Sequence, residues 1–473
     1  MSLKLYNTMT RSVDLFTPIT ADEVGLYTCG FTVYNFAHIG NLRTYIFEDL
    51  LRRTLTFFGY RVKHVMNVTD VGHLVSDADE GEDKMAVGMR RTGKSAWEMA
   101  AIYWQAFKND MERLNLLEPD IWCKATDHIP EQISLIETLE AKGYTYTIDD
   151  GVYFDTTKLD DYGKLARLDV AGLQAGSRIE MGGKRQLTDF ALWKFSPRQQ
   201  KRDMEWDSPW GVGFPGWHIE CSAMAVKYLG EHFDIHCGGI DHIPVHHTNE
   251  IAQTESATGR KPWVNWWMHG EFLVLSEEGE TEGVKMSKSK DNFLTLEYLI
   301  EKGYDPLAYR YFCLNGHYRS PLTFSWGGLD AAANAFARLK HHILELQSHA
   351  QPQAPLNQPH LNLFQAAIAD DLNMPRALAA LWGLLRDTAV SPASKYATLL
   401  IMDTVLGFNM ATLQPDAAPI PAEVMALVEK RAAARQARQW SYADELRQQL
   451  TALGYTVEDT PTGPKIKPIR PAL

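Results

Sequence analysis

Apolar residues recur along this chain with two different periods, and the points where one period replaces the other outline its architecture. Val24 to Thr28 is a short apolar run that predicts a buried strand. From Leu42 to Phe58 apolar positions return every three or four residues, the signature of an amphipathic helix. Arg61 to Val68, rich in β-branched residues and introduced by Phe58-Gly59-Tyr60, predicts a second strand. Such alternation over roughly the first 115 residues is that of a doubly wound, Rossmann-like α/β fold. Between 118 and 205 the texture changes: a helix from Glu131 to Ala141 precedes a hairpin, YTYTIDDGVYF at 144–154, with Asp149-Asp150-Gly151 as its turn. This stretch reads as an insertion that splits the α/β domain into halves at 1–117 and 206–328. The α/β pattern resumes near Trp217. From Leu329 strands fade and Ala/Leu-rich helical patterns predict an α-helical bundle over 329–413. Gln414 to Pro421 predicts a linker, and 421–473 a small C-terminal domain. That domain opens on a helical pattern from Glu423 to Leu453 and ends in a tail punctuated by Gly and Pro.

Composition narrows the class. A hydrophobic fraction of 45% with 22% charged residues is ordinary for a soluble globular chain. No apolar run approaches the ~18–20 residues of a membrane span, and MSLKLYNTMTRSVDLF lacks the apolar core of a signal peptide. Five scattered cysteines make no disulfide framework, so the expectation is a reducing cytoplasm and no membrane partner. The net charge of −12 argues against a general nucleic-acid surface. Residues 421–473 depart from that balance, with eight Lys or Arg against six Asp or Glu, which permits RNA contact at this end.

Two polar elements stand out against these patterns. His38-Ile39-Gly40-Asn41 lies where the first strand gives way to the first helix. Unpaired N–H groups and the positive dipole end attract phosphate there, Gly40 lets the backbone come close, and His38 and Asn41 can donate to phosphate oxygens. KMSKS at 285–289 offers two ammonium groups, Lys285 and Lys288, with Ser287 and Ser289 beside them. Together they resemble the two signatures of class I aminoacyl-tRNA synthetases, which hold ATP and stabilise the transition state of amino-acid activation. Here Asn41 stands in place of the second signature histidine. It keeps a donor and gives up a charge.

A second constellation has metal-ligand chemistry. Cys29 ends the first strand, Cys221 lies in GWHIECSAM, and His246 and Glu250 are four apart in PVHHTNE, so a helix would put them on one face. Thiolate, imidazole and carboxylate all bind zinc. No CxxC pair is present, and His236, Cys237, His242 and His247 are rival ligands, so spacing alone leaves both a zinc site and a set of ordinary buried residues open.

The runs GLYTCGFTVYNFAHIGN at 25–41, GWHIECSAM, FDIHCGGID at 233–241, HHTNE and KMSKS, with DDLNMPRAL at 370–378 and RQARQWSYADELRQQLTALGYTVEDTPTG at 435–463, together resemble cysteinyl-tRNA synthetase over essentially the whole chain. The resemblance implies ATP-dependent activation of L-cysteine, then transfer to the 3′-terminal adenosine of tRNA(Cys), by a monomer using Mg²⁺ with ATP and one Zn²⁺ per chain. It maps the zinc ligands onto Cys29, Cys221, His246 and Glu250, and the amino-acid pocket onto Thr69, Trp217, His236 and Asp241. It also makes 421–473 an anticodon-binding domain, in which Arg431, Arg435 and Arg438 would meet phosphates. Trp440 would either stack on a base or fill the core. Zinc would take the substrate as thiolate, separating cysteine from serine without an editing domain.

Three segments depart from the family pattern: DHIPVHHTNE, VGHLVSDADEGEDKM after Asp70, and KDNF after KMSKS. They mark a divergent subgroup. A ligase joining cysteine to a sugar amine is disfavoured by the C-terminal domain, and an inert paralogue by the retained lysines and ligand set.

Overall fold

The computed structural model describes residues 2–72, 93–168, 183–197, 202–275, 284–285, 293–414, 421–460 and 463–468. They form two units, Met1–Ala411 and Thr412–Leu473. In the first, β1 (Lys4–Asn7) and β2 (Ser12–Leu15) pair as an antiparallel ribbon. β3 (Glu23–Thr32), α1 (Ile39–Phe57), β4 (Arg61–Thr69), α2 (Ala96–Arg113) and β5 (Ile121–Lys124) follow in alternation. After α3 (Ile129–Ala141), the strands β6 (Thr145–Ile148), β7 (Gly151–Phe154), β8 (Phe190–Phe195) and β9 (Gly213–Pro215) form an antiparallel sheet in chain order. Alternation returns with α4 (Trp217–Leu229), β10 (Phe233–Gly239), α5 (His246–Thr258) and β11 (Val264–Gly270).

Five of these strands make one parallel sheet in the order β11-β10-β3-β4-β5. β5 lies within 118–205, yet it pairs with β4 as the outer strand of this sheet, while β9 carries the antiparallel sheet past residue 205. The winding reverses between β3 and β10. In such sheets ligands bind beyond the carboxyl ends of the strands at the point of reversal. Here that point holds the end of β3, the loop into α1, and the residues that follow β10.

A smaller sheet, β13-β12-β14, is built from β12 (Leu273–Leu275), β13 (Val284–Lys285) and β14 (Leu322–Phe324). Between β13 and β14 run α6 (Leu296–Glu301) and α7 (Pro306–Leu314). The helical region then comprises α8 (Trp326–Gln347), α9 (Gln358–Ala369), α10 (Met374–Arg386) and α11 (Pro392–Leu406). Each starts where a Ser or Asn side chain (Ser325, Asn357, Asn373, Ser391) accepts a backbone N–H of the first turn. Gly407, at φ 68°, ends α11 in the left-handed conformation that glycine adopts without strain.

The second unit contains α12 (Ala422–Gln436), α13 (Trp440–Ala452) and the hairpin β15 (Tyr455–Thr460) with β16 (Gly463–Pro468). The helical pattern of 423–453 is therefore two helices. Arg438 takes φ 58° in the turn between them, and α13 folds back so that Ala434, Ala443 and Leu446 pack together. One continuous helix could not cover its apolar stripe in a unit this small.

Candidate active site

The end of β3 is shaped by an extra residue. Its pairing with β4 shifts register between Thr28 and Phe31, so Cys29-Gly30 forms a bulge. Gly30 donates its N–H to Asn67 Oδ1 at 2.7 Å, and a Cβ here would come within 1.7 Å of Asn67 O, so only glycine fits. The bulge places the Cys29 thiol beside the helix α5. That helix is buried over His246–Ala257 although most of its residues are polar. Cys29, His246, His247 and Glu250 each offer a ligand atom, all within 4.8 Å of one another. Cys221, from α4, hydrogen-bonds the Cys29 thiol and His246. Tyr27, Trp263 and Trp267 belong to the same buried cluster as both cysteines and keep the surroundings apolar.

Electrostatics in this cluster are one-sided. Glu250 is buried, which raises its pKa, yet His236 and His246 outweigh burial and bring it down to about 2. His246 is lowered by burial and raised more strongly by Glu250 and Cys221, to about 10. Cys221 is drawn down to about 7 by the hydrogen bond from Cys29, against burial, while burial pushes Cys29 up. Glu250 Oε1 forms an ion pair with His246 Nε2 at 2.9 Å and lies 3.9 Å from His247 Nε2. Soft sulfur, imidazole nitrogen and a carboxylate oxygen thus converge in a buried space, within 4.8 Å of one another. Such a donor set suits a bound zinc-type cation.

The outer nitrogens and oxygens of this set are held in place. Glu250 Oε2 pairs with His236 Nε2 at 3.0 Å, and His236 stacks on Trp267. His246 Nδ1 meets His218 Nδ1 at 3.0 Å. His247 Nε2 lies 3.3 Å from the Cys29 sulfur, and its Nδ1 meets His269 Nε2 at 2.8 Å. Of the residues expected to surround an amino acid, Trp217 is half-buried with its ring 4.4 Å from that of His246, and Asp241 is exposed on the cleft wall. His236 and Thr69 are buried; the first orients Glu250 and the second accepts from Asn67 Nδ2 at 3.1 Å.

A cleft of about 750 Å³ runs from Cys29 to His38, Asn41 and Thr44 on one side, with Asp241 and His242 on the other. At its floor His38 caps α1: its Nδ1 accepts from Asn41 N at 3.1 Å, and Asn41 Oδ1 accepts from His38 N at 3.2 Å. This reciprocal cap makes Nε2 the protonated nitrogen of a neutral His38 ring and leaves Asn41 its NH₂ as donor. An imidazole at position 41 would lack that carbonyl, which gives the asparagine a structural reason. Gly40 sits in the first turn of α1. Lys285 lies in β13, opposite Val274 of β12, while Ser287 and Lys288 lie outside the described residues. The chain returns at Phe293, whose ring meets that of His38 at 5.4 Å, and Leu294 O accepts from Ile39 N at 2.8 Å. Both ends of the KMSKS segment therefore meet the start of α1 or the sheet beside it.

In the second unit Arg431 is buried, which removes it from a phosphate-facing row. Arg435 and Arg438 are exposed, but Arg438 belongs to the turn, so the three arginines do not share one helical face. Trp440 is 56% exposed, which takes it out of the core, and the Arg435 guanidinium sits 5.7 Å from its ring centroid.

Residues 15–334 match the family model for the class I (C) tRNA synthetase catalytic domain, and residues 417–464 match the cysteinyl-tRNA ligase anticodon binding domain. The chain is 57% identical over 466 residues to cysteine–tRNA ligase 1 of Burkholderia lata, covering 98% of this chain and 97% of that one. It is 45% identical over 490 residues to the cysteine–tRNA ligase of Treponema denticola, covering 97% and 98%. Methionyl-tRNA synthetase of Mycobacterium tuberculosis, solved with methionyl-adenylate, shares the fold at a TM-score of 0.56 and 15% identity, over 82% of this chain and 92% of that chain.

Proposed function

The chain belongs to the cysteine–tRNA ligase family, and from that premise we propose how its residues divide the work of activating L-cysteine with ATP and passing it to tRNA(Cys). The observation that carries the proposal is the single cleft joining the His38–Asn41 helix end to the Cys29 cluster. ATP with Mg²⁺ lies along the helix end, where the N–H groups of the first turn, His38 and Asn41 meet its phosphates. The cysteine carboxylate attacks the α-phosphorus, and pyrophosphate leaves. Lys285 and Lys288 stabilise the charge that develops on it, as fixed cations do in phosphoryl transfer generally. The terminal adenosine hydroxyl of the tRNA then attacks the carbonyl of the adenylate and releases AMP. No protein nucleophile takes part.

The amino-acid end is selected at the buried cluster. Cys29, Cys221, His246 and Glu250 would hold Zn²⁺, which lowers the pKa of a thiol it coordinates and favours sulfur over a serine hydroxyl. His236 orients Glu250, and His247 orients the Cys29 sulfur, the role outer residues commonly play around a metal. Trp217, Asp241 and Thr69 shape the space for the remainder of the amino acid. In the second unit Arg435, Arg438 and Trp440 form the anticodon-reading surface. No helix among the described residues is long and apolar enough to cross a membrane, and the reading is of a cytoplasmic monomer.

Charging of unfractionated tRNA with labelled cysteine, with serine in parallel, tests this. Charging with cysteine alone is expected. Equal charging with both would remove the thiol-selective cluster from the account, and none, beside an active control enzyme, would remove the reaction.

A further inference from the structure

We propose that Arg43 is a positioning residue that fixes the small sheet bearing Lys285 against the first turns of α1, so that the two phosphate-handling elements are already in register when ATP arrives. This rests on the reading that both elements serve ATP. Arg43 lies one turn into α1 and is 4% exposed. Its Nη1 donates to Glu271 O at 2.8 Å and to Phe272 O, and its Nη2 donates to His317 O at 3.1 Å and Ser320 O at 2.6 Å. The first pair of carbonyls is the crossover from β11 into β12. The second belongs to the turn that precedes β14. β12 is the central strand of its sheet, with β13 on one side and β14 on the other. One guanidinium thus ties the helix to both segments that feed the sheet. Glu271 N also donates to Tyr318 O at 2.8 Å and Leu322 N to Phe272 O at 3.0 Å, so the two segments are bonded to each other as well as to Arg43.

On the far side of the KMSKS segment a second set of bonds meets the same helix. Ile39 N donates to Leu294 O at 2.8 Å, and the Tyr309 hydroxyl donates to Ile39 O at 2.6 Å. The segment is therefore fastened to α1 before and after the loop. Only a planar fork with donors on two terminal nitrogens can serve four carbonyls in this layout. A lysine ammonium has three donors on one atom and cannot span both pairs.

A buried arginine that merely held the core together would, when lost, weaken every activity alike. The acceptors of Arg43 all flank β12 and β14, and none is a residue of the Cys29 cluster. Its loss should act on adenylation, which needs both elements, and spare the later transfer to tRNA, which does not. A misplacement of roughly 1 Å costs on the order of 10²-fold in rate.

The test uses Arg43→Lys in the full chain, read by cysteine-dependent ATP–pyrophosphate exchange, zinc content, and single-turnover transfer to tRNA from supplied cysteinyl-adenylate. The expected result is an exchange rate about 10²-fold lower with a raised KM for ATP, stoichiometric zinc, and transfer like that of the wild type. Unchanged exchange, or exchange and transfer falling together, would overturn the proposal. A wild type with no exchange would instead sink the reading beneath it. If Arg43→Lys does not fold, Tyr309→Phe removes one of the two bonds at Ile39 at nearly constant shape and leaves the bond to Leu294 O in place. It should slow exchange alone, by about tenfold for one lost buried hydrogen bond; wild-type exchange in that variant would count against the proposal equally.

Discussion

Two clusters of buried charge lie within the first unit, and they differ in one respect that decides what each is for. In one, Asp49, Arg53 and Arg310 meet between α1, α7 and the end of α11. Asp49 Oδ2 accepts from Arg53 Nε at 2.8 Å and Arg310 Nη2 at 2.6 Å, and Asp49 Oδ1 accepts from Leu117 N at 2.8 Å. The remaining guanidinium donors reach the carbonyls of Leu406, Leu114, Asn115 and Thr404. Each guanidinium meets the Asp49 carboxylate and backbone carbonyls, and no imidazole or thiol is among these partners. In the other, Cys29, His246, His247 and Glu250 bring one ligand atom each within 4.8 Å of one another, and Cys221 is bonded to the Cys29 thiol and to His246. Burial and titratable groups are common to both. The convergence of sulfur, nitrogen and carboxylate oxygen on one buried point is what marks a metal-binding site.

The largest effects should come from breaking the cluster of converging ligand atoms. Cys221→Ser and Glu250→Ala are each expected to lose stoichiometric zinc and cysteine-dependent pyrophosphate exchange while leaving the circular dichroism spectrum unchanged. Full zinc content in either variant, measured by atomic absorption on purified protein, would remove that residue from the ligand set.

Breaking the Asp49 cluster should act on stability and leave the metal alone. Asp49→Ala strands two guanidinium groups in the interior, and removing one partner of a buried ion pair typically costs about 3–5 kcal/mol. A lower urea midpoint with retained zinc is expected. A variant as stable as the wild type would show that the pairing of Asp49 with its two arginines contributes little.

His247 sharpens the comparison, because its distance to Cys29 fits a ligand as well as a partner of one. If it orients the Cys29 sulfur from outside, His247→Gln should keep one zinc per chain with affinity weakened roughly 10- to 100-fold, measured by competition with a chromophoric chelator. Loss as complete as in Cys221→Ser would make His247 a ligand.

How much of this was legible beforehand follows the range of each signal. His246 and Glu250 sit on one helical face by local spacing, and the strand-to-helix step at HIGN is written in adjacent residues. The meeting of Cys29 with Cys221 and α5 is not, since it depends on β3 lying next to β10 in the sheet. The bulge at Cys29-Gly30 left only an inconspicuous glycine as a trace. β5 escaped because four residues carry too little periodicity to separate a strand from the insertion around it. Arg43 escaped for the opposite reason: an arginine on an amphipathic helix reads as solvated, and its four carbonyl partners come from residues more than two hundred positions away. In the second unit the three arginines looked aligned only while 423–453 was taken as one helix.

Trp440 carries the comparison to the surface, where the effect should be smallest. The indole is 56% exposed at the start of α13, with the Arg435 guanidinium near its ring. A packed tryptophan would be needed for stability, whereas this one offers an apolar face to water beside a cation, the combination that single-stranded bases stack against. Base–aromatic stacking contributes about 1–3 kcal/mol per base, so Trp440→Ala should raise the KM for tRNA by roughly tenfold at the lower end of that range. The urea midpoint, zinc content and pyrophosphate exchange should stay at wild-type values. Trp440→Phe keeps a smaller ring and should recover most of the loss. If the alanine variant charges tRNA like the wild type, the exposed ring is an ordinary surface residue and anticodon recognition must rest on other groups. If it instead unfolds the second unit, the exposed ring contributes to packing after all, and its role is structural.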